Sequence, residues 1–271
     1  MKLIRFLFFL CIIFFLAFFF SGGTSLFQPG TLANIRETAS SFIDSQPAAR
    51  TAAPAAADSG EITVLDRAGR MLFLRSAVQK AMRSQHPVTV ADIPDSLRQA
   101  VLAVEDNRFY SHHGFDPEAI ARAALVNLQY GQIEEGASTI TQQLVKNLFL
   151  SHERSFGRKA EEFALALDME LHYSKDEILA LYLNTIYFGS DYYGIYDASM
   201  GYFGKQPKDL ALPEAAMLAG LPNAPSLYSP YVDFLMAKKR QFVVLDAMVR
   251  SGYITQDMAE DAKIKPIYLD H

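Results

Sequence analysis

The stretch AVEDNRFYSHHGFD, residues 103–116, concentrates side chains that can handle protons. Glu105 and Asp106 stand side by side directly after an apolar run, residues 101–104. An acid held against apolar side chains has its pKa raised, which suits a group that accepts or donates a proton near neutral pH. From the spacing alone, a polar connection between two helices, with Asp116 as N-cap of the second, explains the same residues equally well.

The histidines of this stretch do not predict a metal site. His112 and His113 are adjacent, so their side chains point in different directions, and the H-E-x-x-H spacing of zinc hydrolases does not occur in the chain. The single cysteine, Cys11, lies in an apolar run. Neither a disulfide nor a cysteine-based metal or catalytic site is therefore predicted.

A second polar cluster lies in EGASTITQQLVKNLFL, residues 135–150. On the predicted helix, four polar residues spaced three or four apart share one face: Thr139, Gln142, Gln143 and Lys146. The apolar residues between them face the core. The Gly-Ala-Ser-Thr entry predicts free backbone N–H groups at the helix N-terminus, which suit an anionic ligand. An ordinary capped amphipathic helix is the alternative.

A third cluster lies in residues 153–189, where cations precede a carboxylate. Arg158 and Lys159 stand four and three residues before Glu162, so the three charges share one helix face. A solvent-exposed ladder of salt bridges has the same pattern and contributes little to stability. The basic residues of the second and third clusters are Lys146, Arg154, Arg158 and Lys159. Such a concentration in an acidic chain favours a ligand like a diphosphate.

Composition limits what these clusters can serve. The chain has 271 residues, a formal charge of −5 and 50% hydrophobic content, enough for one large domain or two small ones. The mildly acidic balance gives no indication of nucleic-acid binding.

The N-terminus predicts export across a membrane. Residues 3–20 are apolar except Arg5, and 18 helical residues approach the thickness of a bilayer core. Lys2 and Arg5 predict a cytoplasmic N-terminus and an exported remainder. We favour an uncleaved anchor, residues 1–21, over a cleaved signal peptide, because SGGTSLF, the segment directly after the apolar run, contains no A-x-A site. Residues 22–60 include an Ala-, Pro- and Ser-rich stretch typical of a tether.

The remainder, residues 61–271, is predicted to be one mainly α-helical domain. EITVLDRAGRML, residues 61–72, favours a small hairpin, and helical patterns follow it. Asp116 and Pro117 predict the start of a helix that runs to about Tyr130. Residues 139–142 and 174–177 fit the capping box, which marks two further helix starts.

Five segments in this order resemble the five motifs of peptidoglycan glycosyltransferases, glycosyltransferase family 51. They are EDNRFYSHHGFD, GASTITQQLVKN, RKAEE, KDEILALYLNTIYFG and AAMLAGLPNAPSLYSP, and the likeness covers roughly residues 61–260. The resemblance implies a lysozyme-like, mainly helical fold with a large lobe and a smaller membrane-facing jaw. It also implies polymerisation of lipid II, an undecaprenyl-diphosphate-linked disaccharide-pentapeptide, on the outer face of the bacterial cytoplasmic membrane.

The resemblance assigns roles by motif position. Glu105 resembles the general base, which takes the proton of a GlcNAc 4-hydroxyl as that oxygen attacks MurNAc C1 with inversion. Glu162 resembles the second glutamate, which assists the diphosphate directly or by organising cations. Further residues match substrate-binding positions: Asp106, Arg122, Ser138, Gln142, Gln143, Lys146, Arg154 and Arg158.

The resemblance implies no required cofactor and no metal ligand among these residues, although the family commonly works with Mg²⁺ or Mn²⁺ at the diphosphate. Implied partners are lipid II, the growing strand, the membrane and other wall-synthesis proteins. Gly136-Ala137 departs from the usual Gly-Gly of the second motif. No Ser-x-x-Lys occurs, so we expect a monofunctional polymerase that does not react with β-lactams.

Two other functions fit parts of the pattern. A lytic enzyme that cleaves glycan strands would use Glu105, but it has no diphosphate to bind with the basic cluster. An inactive membrane-tethered scaffold would keep the fold, but both glutamates and the basic residues are present. The sequence therefore favours the polymerase.

Overall fold

The computed structural model describes residues 73–82, 84, 86–130, 136–150 and 156–270. The α-helices of this part are α1 (Leu74–Ala81), α2 (Asp95–Glu105), α3 (Pro117–Tyr130), α4 (Ile140–Phe149), α5 (Phe156–His172), α6 (Lys175–Thr185), α7 (Ile195–Phe203), α8 (Leu212–Gly220), α9 (Pro225–Tyr228), α10 (Phe234–Arg250) and α11 (Gln256–Ile264). Short 3₁₀ turns lie at Val90–Asp92, Phe109–Ser111, Pro207–Asp209 and Leu221–Asn223.

The prediction of a mainly α-helical domain is confirmed. Within the described ranges, β pairing is limited to isolated bridges, His113 with Phe115 and Tyr187 with Tyr193. The helices lie in one compact unit formed by Ala48–Gln129 and Glu134–His271, apart from Tyr130 at the end of α3.

The predicted anchor, tether and hairpin lie outside the described residues. Among the helices that the structure does describe, none has the length and apolar character needed to span a bilayer. A second unit, Met1–Pro47 with Tyr130–Ile133, falls outside the described residues except for Tyr130.

Helix α8 lies at the centre of one group of helices. All its residues from Pro213 to Gly220 are buried, and it packs against α2 and α10. The absence of a side chain at Gly220 leaves room for side chains of α10. At Gly220 an added Cβ would lie 2.8 Å from Arg240 Cγ on α10. This packing holds α2, which ends at the candidate base, against α10.

Helix α4 lies in a second group, packed against α5 and α6. Its apolar residues Ile140 and Leu144 are fully buried, as the periodicity predicts. The turn that precedes α3 also contacts α5. Gly114 has φ +78° there, and an added Cβ would lie 2.9 Å from the Ala166 carbonyl oxygen. The three sequence clusters therefore meet around α4 and α5.

The predicted helix starts are confirmed. Capping boxes form at Thr139, before α4, and at Ser174, before α6. Asp116 Oδ1 accepts hydrogen bonds from the N–H groups of Glu118 and Ala119 at 2.9 and 3.2 Å, which caps α3. These contacts join residues close in sequence, which explains why the sequence predicts them.

Candidate active site

Glu105 is the last residue of α2. The helix ends there because Asp106 leaves the helical conformation, with φ −163° and ψ 80°. A carboxylate at a helix C-terminus faces the negative end of the helix dipole, which disfavours its charged form. The position alone therefore raises the proton affinity of Glu105.

The carboxyl group of Glu105 has one bound and one unbound oxygen. Its Oε2 accepts a hydrogen bond of 2.9 Å from Gln143 Nε2, whereas its buried Oε1 has no hydrogen-bond partner. Burial raises the pKa of Glu105, and the nearby charge of Asp106 raises it further. The Gln143 hydrogen bond and the cations Arg240 and Lys146 oppose this rise. Glu105 is thus an acid with a raised pKa and a free acceptor atom, as a general base requires.

Asp106 binds other parts of the protein. Its Oδ1 and Oδ2 lie 3.1 and 3.0 Å from His112 Nε2, and Oδ2 accepts the Ile140 N–H at 3.0 Å. Asp106 and His112 are both buried. The contacts connect the end of α2 to the first turn of α4, so Asp106 organises the site.

The N-terminus of α4 differs from its prediction as an open anion site. The Ile140 N–H is bound to Asp106, and the Gln142 N–H donates to Thr139 Oγ1 at 3.2 Å. Gln143 N–H donates to the Thr139 carbonyl at 2.9 Å. The prediction of free N–H groups is therefore wrong at Ile140 and Gln142, because Asp106 and Thr139 of the protein itself accept their hydrogen bonds.

The two glutamines of the second motif have different environments. Gln142 is buried, and its Oε1 accepts the Thr139 N–H at 3.1 Å within the capping box. Gln143 reaches Glu105, and its Oε1 accepts a hydrogen bond from Tyr182 Oη at 3.3 Å. Gln142 thus holds the start of α4, and Gln143 contacts the acid. The two glutamines of the predicted polar face therefore differ in role, one in helix capping and one in contact with Glu105.

Glu162 lies on α5 with the two cations predicted to share its face. Arg158 Nη1 lies 2.9 Å from Glu162 Oε2, and Lys159 Nζ pairs with Glu162 Oε1. The Glu162 side chain is 4% exposed and that of Lys159 is 47% exposed, so the cluster extends from the interior to the surface. Two cations thus share the one carboxylate of Glu162.

Ser138 links the second and third clusters. Its Oγ lies 3.4 Å from Lys159 Nζ, just before α4 begins. Lys146 is exposed on α4 and acts electrostatically on Glu105. Arg122 is exposed on α3. Arg154, the remaining predicted cation, lies outside the described residues.

Two residues near Glu105 were absent from the sequence prediction. Tyr182 lies on α6 and reaches Gln143, while Arg240 lies on α10, beyond the five motifs. Both are distant in sequence from Glu105. In the sequence, Tyr182 lies among apolar residues in LALYLNTIYFG, which is typical of a core residue. Nothing in this pattern indicates that its hydroxyl contacts Gln143.

Comparison with known proteins identifies the family. The family described as "Transglycosylase" matches residues 74–249. Penicillin-binding protein 1F of Bacillus subtilis is 46% identical over 180 residues, which are 66% of this chain and 25% of the relative. Penicillin-binding protein 1A of Aquifex aeolicus is 45% identical over 204 residues, 75% of this chain and 27% of the relative. The Escherichia coli protein of the same name is 49% identical over 181 residues, 67% of this chain and 21% of the relative.

A crystal structure of penicillin-binding protein 1A from Haemophilus influenzae matches 70% of this chain and 19% of its own, with a TM-score of 0.42 and 27% identity. The chain spans between a fifth and about a quarter of the length of these curated relatives. The family match covers more than half of the chain, and it includes both glutamates and the helices that hold them. This protein therefore belongs to the transglycosylase family.

Proposed function

We propose that this protein is a peptidoglycan glycosyltransferase that polymerises lipid II into β-1,4-linked glycan strands. The observation that carries the proposal is the arrangement around α4. Gln143 on this helix binds the acid Glu105, and Ser138, just before it, contacts Lys159 of the Glu162 cluster. A base and a cationic cluster that both contact α4 or the residue just before it fit a reaction with two needs. These are a proton acceptor and a site for an anionic leaving group.

Glu105 acts as the general base in this proposal. The 4-hydroxyl oxygen of the incoming GlcNAc attacks C1 of MurNAc on the growing strand, and its proton passes to Glu105 Oε1. The bond between C1 and the diphosphate oxygen breaks, and the diphosphate leaves with the bonding electrons. Attack opposite the α-linked leaving group gives the β product, so configuration inverts. The free Oε1 and the raised pKa of Glu105 support this role.

The Glu162 cluster receives the leaving diphosphate. Arg158 and Lys159 both contact the Glu162 carboxylate, so two cationic side chains lie together where the diphosphate would bind. Preorganised cations that meet developing negative charge lower the barrier without reorganisation during the reaction. Glu162 holds both cations in place, so we assign it an organising role rather than proton transfer. We propose Lys146, Arg122 and Arg154 as further substrate contacts.

Two features support the membrane setting that we propose. The predicted anchor, residues 1–21, and the tether, residues 22–60, would hold a catalytic domain, residues 61–271, outside the cytoplasmic membrane. Helix α3 exposes apolar side chains, with Leu125 68% and Leu128 81% exposed. An exposed apolar helix face fits the membrane-facing jaw of a lysozyme-like fold. Proteins of wall synthesis are the further partners we propose.

A divalent ion at the diphosphate is compatible with the proposal but has no protein site in the described part of the chain. No group of three His, Cys, Asp or Glu side chains there could hold a metal ion. Both oxygens of Glu162 already contact cations. Mg²⁺ or Mn²⁺ would therefore depend mainly on diphosphate oxygens, and no step above uses such an ion.

The experiment uses the detergent-purified chain with fluorescent lipid II and gel separation of the products. We expect a ladder of polymers from the wild type and from Glu260→Gln, an exposed carboxylate on α11. Glu105→Gln should give none while it still binds lipid II. Shortening of added glycan strands would support the lytic alternative. A folded wild type that binds lipid II without polymerising it would support the scaffold.

A further inference from the structure

A chain of three side chains leads from the core to Glu105. The hydroxyl of Tyr182 donates to Gln143 Oε1 at 3.3 Å, and Gln143 Nε2 donates to Glu105 Oε2 at 2.9 Å. Tyr182 is fully buried on α6, which packs against α4. The order of donors and acceptors can be worked out from the chemistry of each group.

A charged carboxylate only accepts hydrogen bonds, so Gln143 must present its NH₂ group to Glu105. Its carbonyl then faces Tyr182, whose hydroxyl carries a single proton to donate. In the reversed amide, the carbonyl oxygen would face Glu105 Oε2 and repel the charged carboxylate. The buried proton of Tyr182 would also lose this acceptor, which is costly. Tyr182 thus favours the orientation that suits a charged Glu105.

We propose that Tyr182 is a positioning residue that fixes the amide of Gln143, so that Glu105 Oε2 is held and Oε1 is left to receive the substrate proton. Tyr182 acts through Gln143 and does not contact the reacting atoms. Burial and the charges of Glu105 and Asp106 raise the pKa of Tyr182 well above its usual value, so its hydroxyl stays protonated as a donor. The inference rests on the proposed role of Glu105 as base.

The other groups that act on Glu105 define the background for a pH measurement. Arg240 acts from α10, Lys146 from α4 and Asp106 from the next position in the chain. Helix α8 packs against both α2 and α10. Its acid Glu214 is paired with Lys205, with 2.6 Å between Glu214 Oε1 and Lys205 Nζ. None of these contacts involves the Tyr182 hydroxyl, so they are the same in wild type and variant.

Tyr182→Phe keeps the ring and removes only the donor. Gln143 is then free to reverse, and its carbonyl would accept a proton from a neutral Glu105, which stabilises the protonated acid. The pKa of Glu105 should therefore rise. Since the base must be deprotonated to act, the acidic limb of the kcat/KM profile should move to higher pH by about half a unit to one unit.

The experiment is a double-mutant cycle on the full chain in detergent. We expect Tyr182→Phe and Gln143→Met each to shift the acidic limb of lipid II polymerisation upward. The double variant should show no larger shift than Gln143→Met alone, because Tyr182 then has no amide to orient. Tyr202→Phe is the matched control, since this buried hydroxyl binds Phe188 O and Ser229 Oγ instead. It should lose a similar hydrogen bond without moving the limb.

Additive shifts in the double variant would overturn the inference, as would a Tyr182→Phe profile that matches Tyr202→Phe. A second readout separates this result from failure of the proposed function. Titration of ¹³C-labelled glutamate carboxyls by NMR, with Glu105→Gln to assign the signal, measures the Glu105 pKa without turnover. An upward shift in Tyr182→Phe supports the positioning role even if no polymer forms, and an unchanged pKa contradicts it.

Discussion

Asp106 Oδ2 accepts the backbone N–H of Ile140 at 3.0 Å, and this contact joins the end of α2 to the first turn of α4. Glu105 precedes Asp106, and Gln143 lies one turn after Ile140. The hydrogen bond between Glu105 and Gln143 therefore depends on how these two helix ends are held together.

Asp106→Asn tests this connection. The amide keeps an acceptor for Ile140 but loses the charge next to Glu105. We expect the free energy of unfolding to fall by about 1–3 kcal/mol, as for a weakened buried hydrogen-bond group. Because the Asp106 charge raises the pKa of Glu105, the acidic limb of kcat/KM should move to lower pH.

Denaturant unfolding and a pH–rate profile check both effects. The matched control is Asp95→Asn, because Asp95 is an exposed carboxylate on the same helix and pairs with Arg98. This variant should change the free energy of unfolding and the acidic limb only slightly. An upward move of the limb in Asp106→Asn would contradict the electrostatic account.

Thr139→Ala should weaken the start of α4. Thr139 Oγ1 accepts the Gln142 N–H and donates to the Gly114 carbonyl at 2.7 Å. Loss of an N-cap costs about 1–2 kcal/mol of stability. Activity should also fall, because α4 carries Gln143, and Thr139→Ser should retain most of both.

Thr255→Ala provides the comparison for Thr139→Ala. Thr255 caps α11 by accepting the Met258 N–H at 3.3 Å, at an exposed position. Thermal unfolding should show a loss in both alanine variants, with polymerisation reduced only in Thr139→Ala. An equal loss of polymerisation in both would mean that general destabilisation explains the effect.

Glu105→Gln should stabilise the fold at neutral pH. Burial raises the folded-state pKa of Glu105, so the folded protein binds its proton more tightly than the unfolded chain does. The stability due to this group is fully present below the unfolded pKa, near 4.5, and is lost as pH rises through the folded pKa. The advantage of the glutamine should be about 1.4 kcal/mol for each unit between the two pKa values.

Denaturant titrations in neutral and acidic buffer measure this difference, which should vanish below the unfolded pKa. Glu177→Gln should behave in the opposite way. Hydrogen bonds from Ser174 lower the pKa of Glu177, so its contribution is present at neutral pH and lost in acid. A less stable Glu105→Gln at neutral pH would argue against the raised pKa.

Glu162→Gln should lower kcat rather than raise KM. The amide leaves Arg158 and Lys159 without their carboxylate, so attraction for the diphosphate of lipid II persists. The cations are no longer held where charge develops, and kcat should fall by about 10²–10³-fold. Initial rates over a range of lipid II concentrations separate the two constants, and Glu260→Gln, at the exposed carboxylate of α11, serves as control. A raised KM at unchanged kcat would assign Glu162 to ground-state binding instead.

The sequence predicts the parts of the site that depend on local spacing. Arg158, Lys159 and Glu162 lie within one turn of a helix, so their pairing follows from helical geometry. The caps at Thr139 and Ser174 follow in the same way.

Contacts between distant segments could not be predicted. Tyr182 and Gln143 are 39 residues apart, and nothing in either local pattern indicates that they meet. The Ile140 N–H, predicted to be free, donates to Asp106, which lies 34 residues earlier, and only the tertiary fold brings that carboxylate there. Likewise, helical periodicity places Gln142 and Gln143 on one face. Only the structure shows that Gln142 contacts Thr139 while Gln143 contacts Glu105.

The occupied N-terminus of α4 has a consequence for inhibitors. A diphosphate mimic aimed at its backbone amides would have to displace Asp106 from Ile140, and with it the link to α2. Binding of such a compound would therefore require the loss of a hydrogen bond that joins two helices. Mimics that engage the side chains of Arg158 and Lys159 meet two cations that already lie together around Glu162. A substitution of the α5 cations that gave resistance to such a mimic would also alter the diphosphate site proposed above, so we expect it to reduce polymerisation.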